Sequence, residues 1–171
     1  MKVEIFRIDH SLPLPKYETK GSFAFDFLAR EETIIAPHEI SFVPGNIIVR
    51  CPKDFALLIL PRSSTPRKKS LVFPHSVGLI DADYHGEKDE ILIQVYNFSD
   101  TPVRVEKGER IAQGLFVKTE KIKFEEVRSP GEISRGGFGS TGQGILKKFL
   151  PIFYNEKILL IKNYCSVYQG V

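Results

Sequence analysis

The sequence lacks the features of a membrane or secreted protein. No uninterrupted apolar stretch comes near the roughly 20 residues that a membrane helix needs. Residues 1–9 interleave charged and apolar side chains, whereas a signal peptide would present a continuous apolar run. We therefore expect a soluble, cytoplasmic protein that does not contact a membrane.

Cysteine and excess charge are also scarce. Only two cysteines occur, Cys51 and Cys165, without CxxC spacing, and the four histidines form no zinc-binding pattern. The 24 basic and 21 acidic side chains leave a net charge of +3, all of it in residues 145–171. This excess is far below that of a typical nucleic-acid binder. We expect two free thiols in a reducing compartment and no nucleic-acid partner.

Short β-like runs separated by turn residues fill the chain from Val3 to Val127. The clearest runs are residues 33–36, 47–50, 55–60, 91–96, 103–105 and 111–117. No long helical periodicity competes with them, and Gly45 and Gly108 are expected to supply positive φ angles in their turns. The pattern predicts one all-β domain, a sandwich or barrel, over residues 1–128.

Two further segments follow that domain. Residues 129–144 are rich in glycine and serine, cannot bury a core, and are expected to form a mobile arm. Residues 145–171 are apolar and basic, and we expect this tail to dock on something or to form a short helix or strand. The sequence leaves the role of the tail open.

Arg62, Ser63 and Ser64 directly follow the apolar run at 55–60. A guanidinium offers paired hydrogen-bond donors and the hydroxyls add more, so this strand end can hold phosphate oxygens. Short motifs of this kind also occur in ordinary solvated turns, and that alternative stays open here.

Residues 77–86 pack two carboxylates and a tyrosine between apolar runs. Asp81 comes directly after Leu79 and Ile80, where a strand would bend towards a pocket. A carboxylate in that position can act as a general base towards a water molecule. The alternative is a hairpin turn in which Asp81 and Asp83 are simple turn formers.

The glycine-rich stretch at 135–142 is a second candidate anion site. Its glycines leave backbone N–H groups accessible, while Ser140 and Thr141 add hydroxyl donors. It lacks the GxxxxGK(S/T) pattern and is therefore not a Walker P-loop. Phe138 lies among these glycines, and an exposed ring there is expected to stack on a ligand.

Taken in chain order, five segments resemble the motifs of the trimeric dUTPase family, which is related to dCTP deaminase. They are residues 23–27, 61–64, 77–86, 108–113 and 135–142. The resemblance implies a jelly-roll-like β-barrel and a homotrimer in which three subunits share each active site. It also implies hydrolysis of dUTP to dUMP and pyrophosphate, with Mg²⁺ held mainly by the triphosphate and by water.

The same resemblance assigns roles to individual residues. Asp81 resembles the base that activates the attacking water, and Tyr84 the tyrosine that packs under the deoxyribose and excludes a 2′-hydroxyl. The hairpin from Gly78 to Ile80 resembles the segment that reads uracil through its backbone. Asp26 resembles a supporting residue. The remaining substrate-binding residues are Arg62, Ser63, Ser64 and Gln113 for the phosphates, and Arg135, Phe138, Gly139, Ser140 and Thr141 in the closing arm. His75 is a departure, because several family members carry asparagine there.

Two alternative functions remain. dCTP deaminases, including bifunctional deaminase/dUTPases, place a catalytic glutamate three residues before an asparagine, but here Gln94 precedes Asn97 at that distance. An amide cannot shuttle the proton, which favours the diphosphatase. A nucleotide-sensing module would use the tail as its contact surface, although the presence of Asp81 and the arm favours catalysis.

Overall fold

The structure is a computed structural model, and it describes residues 1–134 and residue 136. The described residues fall into two units, one of Met1–Lys123 and one that begins at Phe124. All helices and strands of the described residues lie in the first unit. The predicted tail and all of the predicted arm except residues 129–134 and 136 lie outside the described residues, and the predicted boundaries at 128 and 144 stay predictions.

Over the described residues, the chain forms short strands and a single helix. In order they are β1 (Glu4–Arg7), β2 (Phe25–Phe27), β3 (Thr33–Ile35), β4 (Ile40–Pro44), β5 (Ile47–Arg50), β6 (Phe55–Pro61), α1 (Thr65–Lys69), β7 (Leu71–Val72), β8 (Gly78–Ile80), β9 (Leu92–Asn97), β10 (Val103–Val105) and β11 (Ala112–Lys118). No helix in this part of the chain is long and apolar enough to cross a membrane.

The strands pair in antiparallel fashion into small sheets. The orders are β1-β5, β3-β10, β2-β11-β6-β8 and β4-β9-β7. The prediction of an all-β, jelly-roll-like fold is confirmed. Helix α1 was not predicted, since five residues are too few to show a helical period.

One apolar core fills the space between these sheets. Along β9, Ile93 and Val95 are buried while Gln94 and Tyr96 are only partly covered, which is the period of two expected for a strand. Cys51 is buried in the same core, where its thiol donates to the Phe55 carbonyl oxygen over 3.2 Å. Burial raises the pKa of this thiol.

The two predicted turns differ in how they use glycine. Gly108 has a φ of +79°, as expected. In the other turn the positive φ, +69°, belongs to Asn46, so the prediction for Gly45 was wrong. Gly45 is needed for space instead, because a Cβ there would lie 2.7 Å from the carbonyl oxygen of Ile91. Asparagine tolerates the left-handed region better than most residues, which explains why Asn46 and not Gly45 has the positive φ in this turn.

Candidate active site

A polar cleft lies where β6 ends and α1 begins. Its volume is about 330 Å³. It is lined by Arg62, Ser64, Thr65, Lys68, Lys69, Gly108, Glu109, Arg110 and Ile111. Of the predicted phosphate-binding residues, Arg62 and Ser64 line this cleft, while Ser63 is exposed beside it. Its four basic side chains make the cleft a candidate site for an anion.

Asp26 holds the arginines of this cleft in place. Its carboxylate accepts from Arg62 Nε at 2.8 Å and from Arg110 Nη1 at 3.1 Å, and the side chain is only 12% exposed. Arg62 also donates through Nη1 to the Arg110 carbonyl oxygen at 3.1 Å. Two cations on one sheltered carboxylate lose much of their freedom to rotate, so both guanidinium groups stay at the cleft.

Gln113 lies on the neighbouring strand, next to the same end of β6. It pairs with Leu60 in the β6–β11 register, and its Nε2 donates to the Pro61 carbonyl oxygen at 3.1 Å. Thr65, the first residue of α1, donates through Oγ1 to the Ile111 carbonyl oxygen at 2.7 Å and is buried. These two bonds tie the two ends of the Arg62–Ser64 loop to β11 and to Ile111, the residue before it.

Asp81 lies in a second cleft, directly after β8 ends. This cleft has a volume of about 740 Å³. Its lining includes Leu79, Asp81, Asp83, His85, Lys53 and Lys121. Tyr84 follows in a turn closed by its N–H and the Asp81 carbonyl oxygen at 3.2 Å. The Tyr84 hydroxyl makes a long bond of 3.4 Å to the Glu90 carbonyl oxygen.

The uracil-reading hairpin of the sequence analysis corresponds to β8. Gly78 pairs with Ile59, and Ile80 pairs with Leu57 on β6. A Cβ on Gly78 would lie 3.0 Å from the Ile59 Cβ and 3.3 Å from His75 Nε2. A side chain at position 78 would therefore have to displace the Ile59 and His75 side chains by a few tenths of an ångström.

Within one chain, the two clefts are far apart. Ile80 pairs with Leu57, so Asp81 comes next to Ala56, near the first residue of β6. Arg62 follows the last residue of the same strand, Pro61. Arg62 lies six residues after Ala56 along the chain, which corresponds to a distance of roughly 20 Å at about 3.3 Å per strand residue. Arg62, Ser64, Gln113 and Asp26 thus form one group, and Gly78, Ile80, Asp81 and Tyr84 form another.

Several residues lie outside these assignments. The predicted arm residues Arg135, Phe138, Gly139, Ser140 and Thr141, together with Cys165 and the tail 145–171, are outside the described residues. Arg110 and Lys68 were missing from the predicted site, although they line the same cleft as Arg62. Their signal in the sequence was weak, because single basic residues in a turn or short helix are common on any surface.

No three His, Cys, Asp or Glu side chains of the described part form a metal-binding group.

Comparison with known proteins gives a consistent result. The family model described as dUTPase matches residues 10–142. The chain is 40% identical over 144 residues to deoxyuridine 5′-triphosphate nucleotidohydrolase of Helicobacter pylori (strain Shi470), covering 83% of this chain and 97% of that protein. It is 38% identical over 148 residues to the Dictyoglomus turgidum protein of the same name, covering 83% and 99%.

A solved structure is similar over the barrel. The crystal structure of dUTPase from Streptococcus mutans has a TM-score of 0.66 and 35% sequence identity, covering 72% of this chain and all (100%) of that one.

Proposed function

The chain belongs to the dUTPase family, and from that membership we propose that it is a dUTP diphosphatase that hydrolyses dUTP to dUMP and pyrophosphate. The observation that carries this proposal is Asp81, which follows β8 immediately and lines an open cleft of about 740 Å³. The relatives from S. mutans and H. pylori have the corresponding names, and this chain matches them over 100% and 97% of their lengths.

In the proposed reaction Asp81 acts as the general base. It accepts a proton from a water molecule as that water attacks the α-phosphorus, and pyrophosphate leaves. Arg62, Ser64 and Gln113 hold the phosphates, and Arg62 balances the charge that develops on their oxygens. Tyr84 packs under the deoxyribose and the backbone of β8 reads the base. Arg135, Phe138, Gly139, Ser140 and Thr141 are proposed to close over the bound nucleotide.

Asp26 has a different role from Asp81 in this proposal. Its two ion pairs with Arg62 and Arg110 leave it suited to positioning cations and not to accepting a proton. Arg110, which lies in the 108–113 segment but was given no role from the sequence, is therefore a further candidate for the phosphate cleft.

Mg²⁺ fits this site as a partner of the triphosphate. The carboxylates nearest the phosphate cleft, Asp26 and Glu109, are already paired with Arg62, Arg110 and Lys69. Phosphate oxygens are hard donors of the kind that Mg²⁺ prefers, so the ion can arrive with the substrate. When bound, it neutralises charge on the triphosphate.

We propose that the enzyme is a homotrimer with shared active sites. The base Asp81 and the phosphate-binding Arg62 must act on one triphosphate, yet they are roughly 20 Å apart along β6 of one chain. A triphosphate is much shorter than that, so a second copy has to supply one of the two groups. The number three rests on the family resemblance.

An exposed apolar face supports association between copies. Ile40 and Phe42 of β4 are each 54% exposed, and Leu92 of β9 is 48% exposed. The β4–β9 register puts all three on the same outer side of the sheet. Apolar side chains clustered on one face often mark an interaction surface, and a second copy of this chain would cover them. A cytoplasmic location remains a prediction from the sequence.

The direct test is to incubate the purified protein with Mg²⁺ and each deoxynucleoside triphosphate, and to measure pyrophosphate and deaminated product. We expect pyrophosphate from dUTP and no deaminated product from dCTP. Deamination of dCTP would favour the alternative enzyme class, despite glutamine at position 94.

Asp81→Asn then tests the mechanism. It keeps the size of the side chain but cannot accept the proton, so kcat should fall by about 10²- to 10⁴-fold with little change in dUTP affinity. Asp83→Asn is the matched control, because Asp83 lines the same cleft two residues away. Equal effects of the two substitutions would refute the role of Asp81.

A further inference from the structure

His75 lies against the first residue of the base-reading strand, although it belongs to the preceding loop. Its Nε2 is 3.3 Å from the position that a Cβ on Gly78 would take. The Ile59 Cβ lies 3.0 Å from the same position. The imidazole ring thus lies beside the position that a side chain of residue 78 would occupy.

The ring of His75 is anchored from the other direction. It stacks on Phe73, with an interplanar angle of 3° and ring centroids 6.1 Å apart. Phe73 is itself part of the buried core, so it offers a fixed platform. His75 is itself exposed, and its ring faces a core aromatic ring on one side and the start of β8 on the other.

The backbone of the loop is folded tightly around this contact. Ser76 has a φ of +66°, which is uncommon for a residue other than glycine. Its N–H donates to the Phe73 carbonyl oxygen at 3.1 Å, and the Val77 N–H donates to the His75 carbonyl oxygen at 2.8 Å. A tight turn with a residue in an unusual conformation persists only where its surroundings hold it. Here those surroundings include the stacked pair of Phe73 and His75.

We propose that His75 is a positioning residue for substrate recognition. Its ring, which lies between Phe73 and Gly78, keeps the backbone at the start of β8 in the position from which it hydrogen-bonds the base. This proposal rests on the proposed function, in which the β8 backbone hydrogen-bonds uracil. The ring acts by packing and not by its nitrogen atoms. Loss of the ring lets the start of β8 shift, which weakens base binding but leaves Asp81, at the other end of the strand, able to work.

The test compares His75→Ala with His75→Phe. The alanine variant should raise KM for dUTP by about tenfold, in line with the loss of one aromatic contact, while kcat stays within about twofold. It should also lower the preference for dUTP over dCTP in kcat/KM by a similar factor. The phenylalanine variant keeps a flat ring and should behave like the parent protein in both respects.

Two outcomes would overturn the proposal. One is an unchanged KM and base preference in His75→Ala; the other is a phenylalanine variant as impaired as the alanine variant, which would assign the effect to the nitrogen atoms. Thermal unfolding of all three proteins separates a loss of folding from a loss of positioning. If the parent protein itself does not hydrolyse dUTP, the proposed function fails; if the parent is active and His75→Ala is normal, this inference alone fails.

Discussion

At the scale of single residues, the carboxylates of this protein differ by what surrounds them. Asp26 is sheltered and carries two arginines, whereas Asp81 lines an open cleft after the last residue of a strand. The same side chain therefore serves as a structural anchor in one place and as a candidate base in the other. The family resemblance suggested a supporting role for Asp26, but only the fold shows its partners, Arg62 directly after β6 and Arg110 in the turn before β11.

A third aspartate, Asp9, gives a prediction about stability and pH. Lys107 Nζ lies 2.6 Å from one carboxylate oxygen, and the Ser11 N–H donates to the other over 2.8 Å. These bonds, with Lys107 the largest cause, hold the pKa of Asp9 well below its ordinary value of 3.8. A depressed folded-state pKa contributes stability above pH 3.8, and this contribution is lost as the pH falls below that value.

Lys107→Met should therefore lower the free energy of unfolding near neutral pH, and the difference from the parent should shrink in acid. Urea unfolding from about pH 7 to below about pH 3 measures this difference. Lys16→Met is the control, since Lys16 is more exposed and lies 3.8 Å from Glu18. A difference between Lys107→Met and the parent that stays constant with pH would contradict the prediction.

At the scale of elements, the sequence predicted most strands, including the three-residue β3 and β10, but not the five-residue β4. The runs at 47–50 and 55–60 correspond to β5 and β6, because alternating or continuous apolar residues dominate them. β7 has two residues and β8 three, and they are strands only because β9 and β6 pair with them. Pairing of this kind depends on tertiary contacts that no local pattern records.

Helix α1 also depends on tertiary contacts, and the conformation of the residue that ends it, Ser70, can be tested by substitution. Ser70 caps the helix with φ +53° and ψ +31°, in the left-handed region, and its N–H donates to the Pro66 carbonyl oxygen at 3.0 Å. Its own carbonyl oxygen accepts from the Phe98 N–H at 3.1 Å. The cap turns the chain from the phosphate cleft into β7.

Ser70→Val should destabilise the protein by about 1–2 kcal/mol, because a branched side chain is strained in this conformation. Ser70→Gly should not be destabilised, since glycine adopts positive φ readily. Chemical denaturation of the two variants beside the parent measures both effects. If valine were as well tolerated as glycine, the left-handed cap would not exist in solution.

At the scale of the whole molecule, the candidate site could be predicted only in part. The motifs of the sequence identified Arg62 and Asp81 as parts of one site, but the β6–β8 register separates them by roughly 20 Å in a single chain. Linear order along a chain says nothing about which copy supplies which residue. The proposal of a shared site therefore draws on the pairing of the strands and on the exposed face formed by Ile40, Phe42 and Leu92.

Mixing two inactive variants tests the shared site. Asp81→Asn and Arg62→Ala should each be inactive alone, but mixed assemblies contain some sites with both intact residues. If chains assort at random in equal amounts, about one quarter of the parent activity should return after joint refolding.

The matched control mixes Arg62→Ala with Gln113→Ala. Both residues lie at the same end of β6, so one chain supplies both and every mixed site lacks one of them. Recovery should be absent. Activity restored equally in both mixtures, or in neither, would contradict the shared arrangement.

The separation of Asp81 from Arg62 along β6 has a further consequence for how the enzyme behaves at low abundance. If a lone chain cannot complete a site, as proposed, turnover per chain should fall on dilution as the assembly dissociates. A cell that makes too little of the protein loses more activity than it loses protein. The rate of hydrolysis would then rise more steeply than in proportion to the amount of protein.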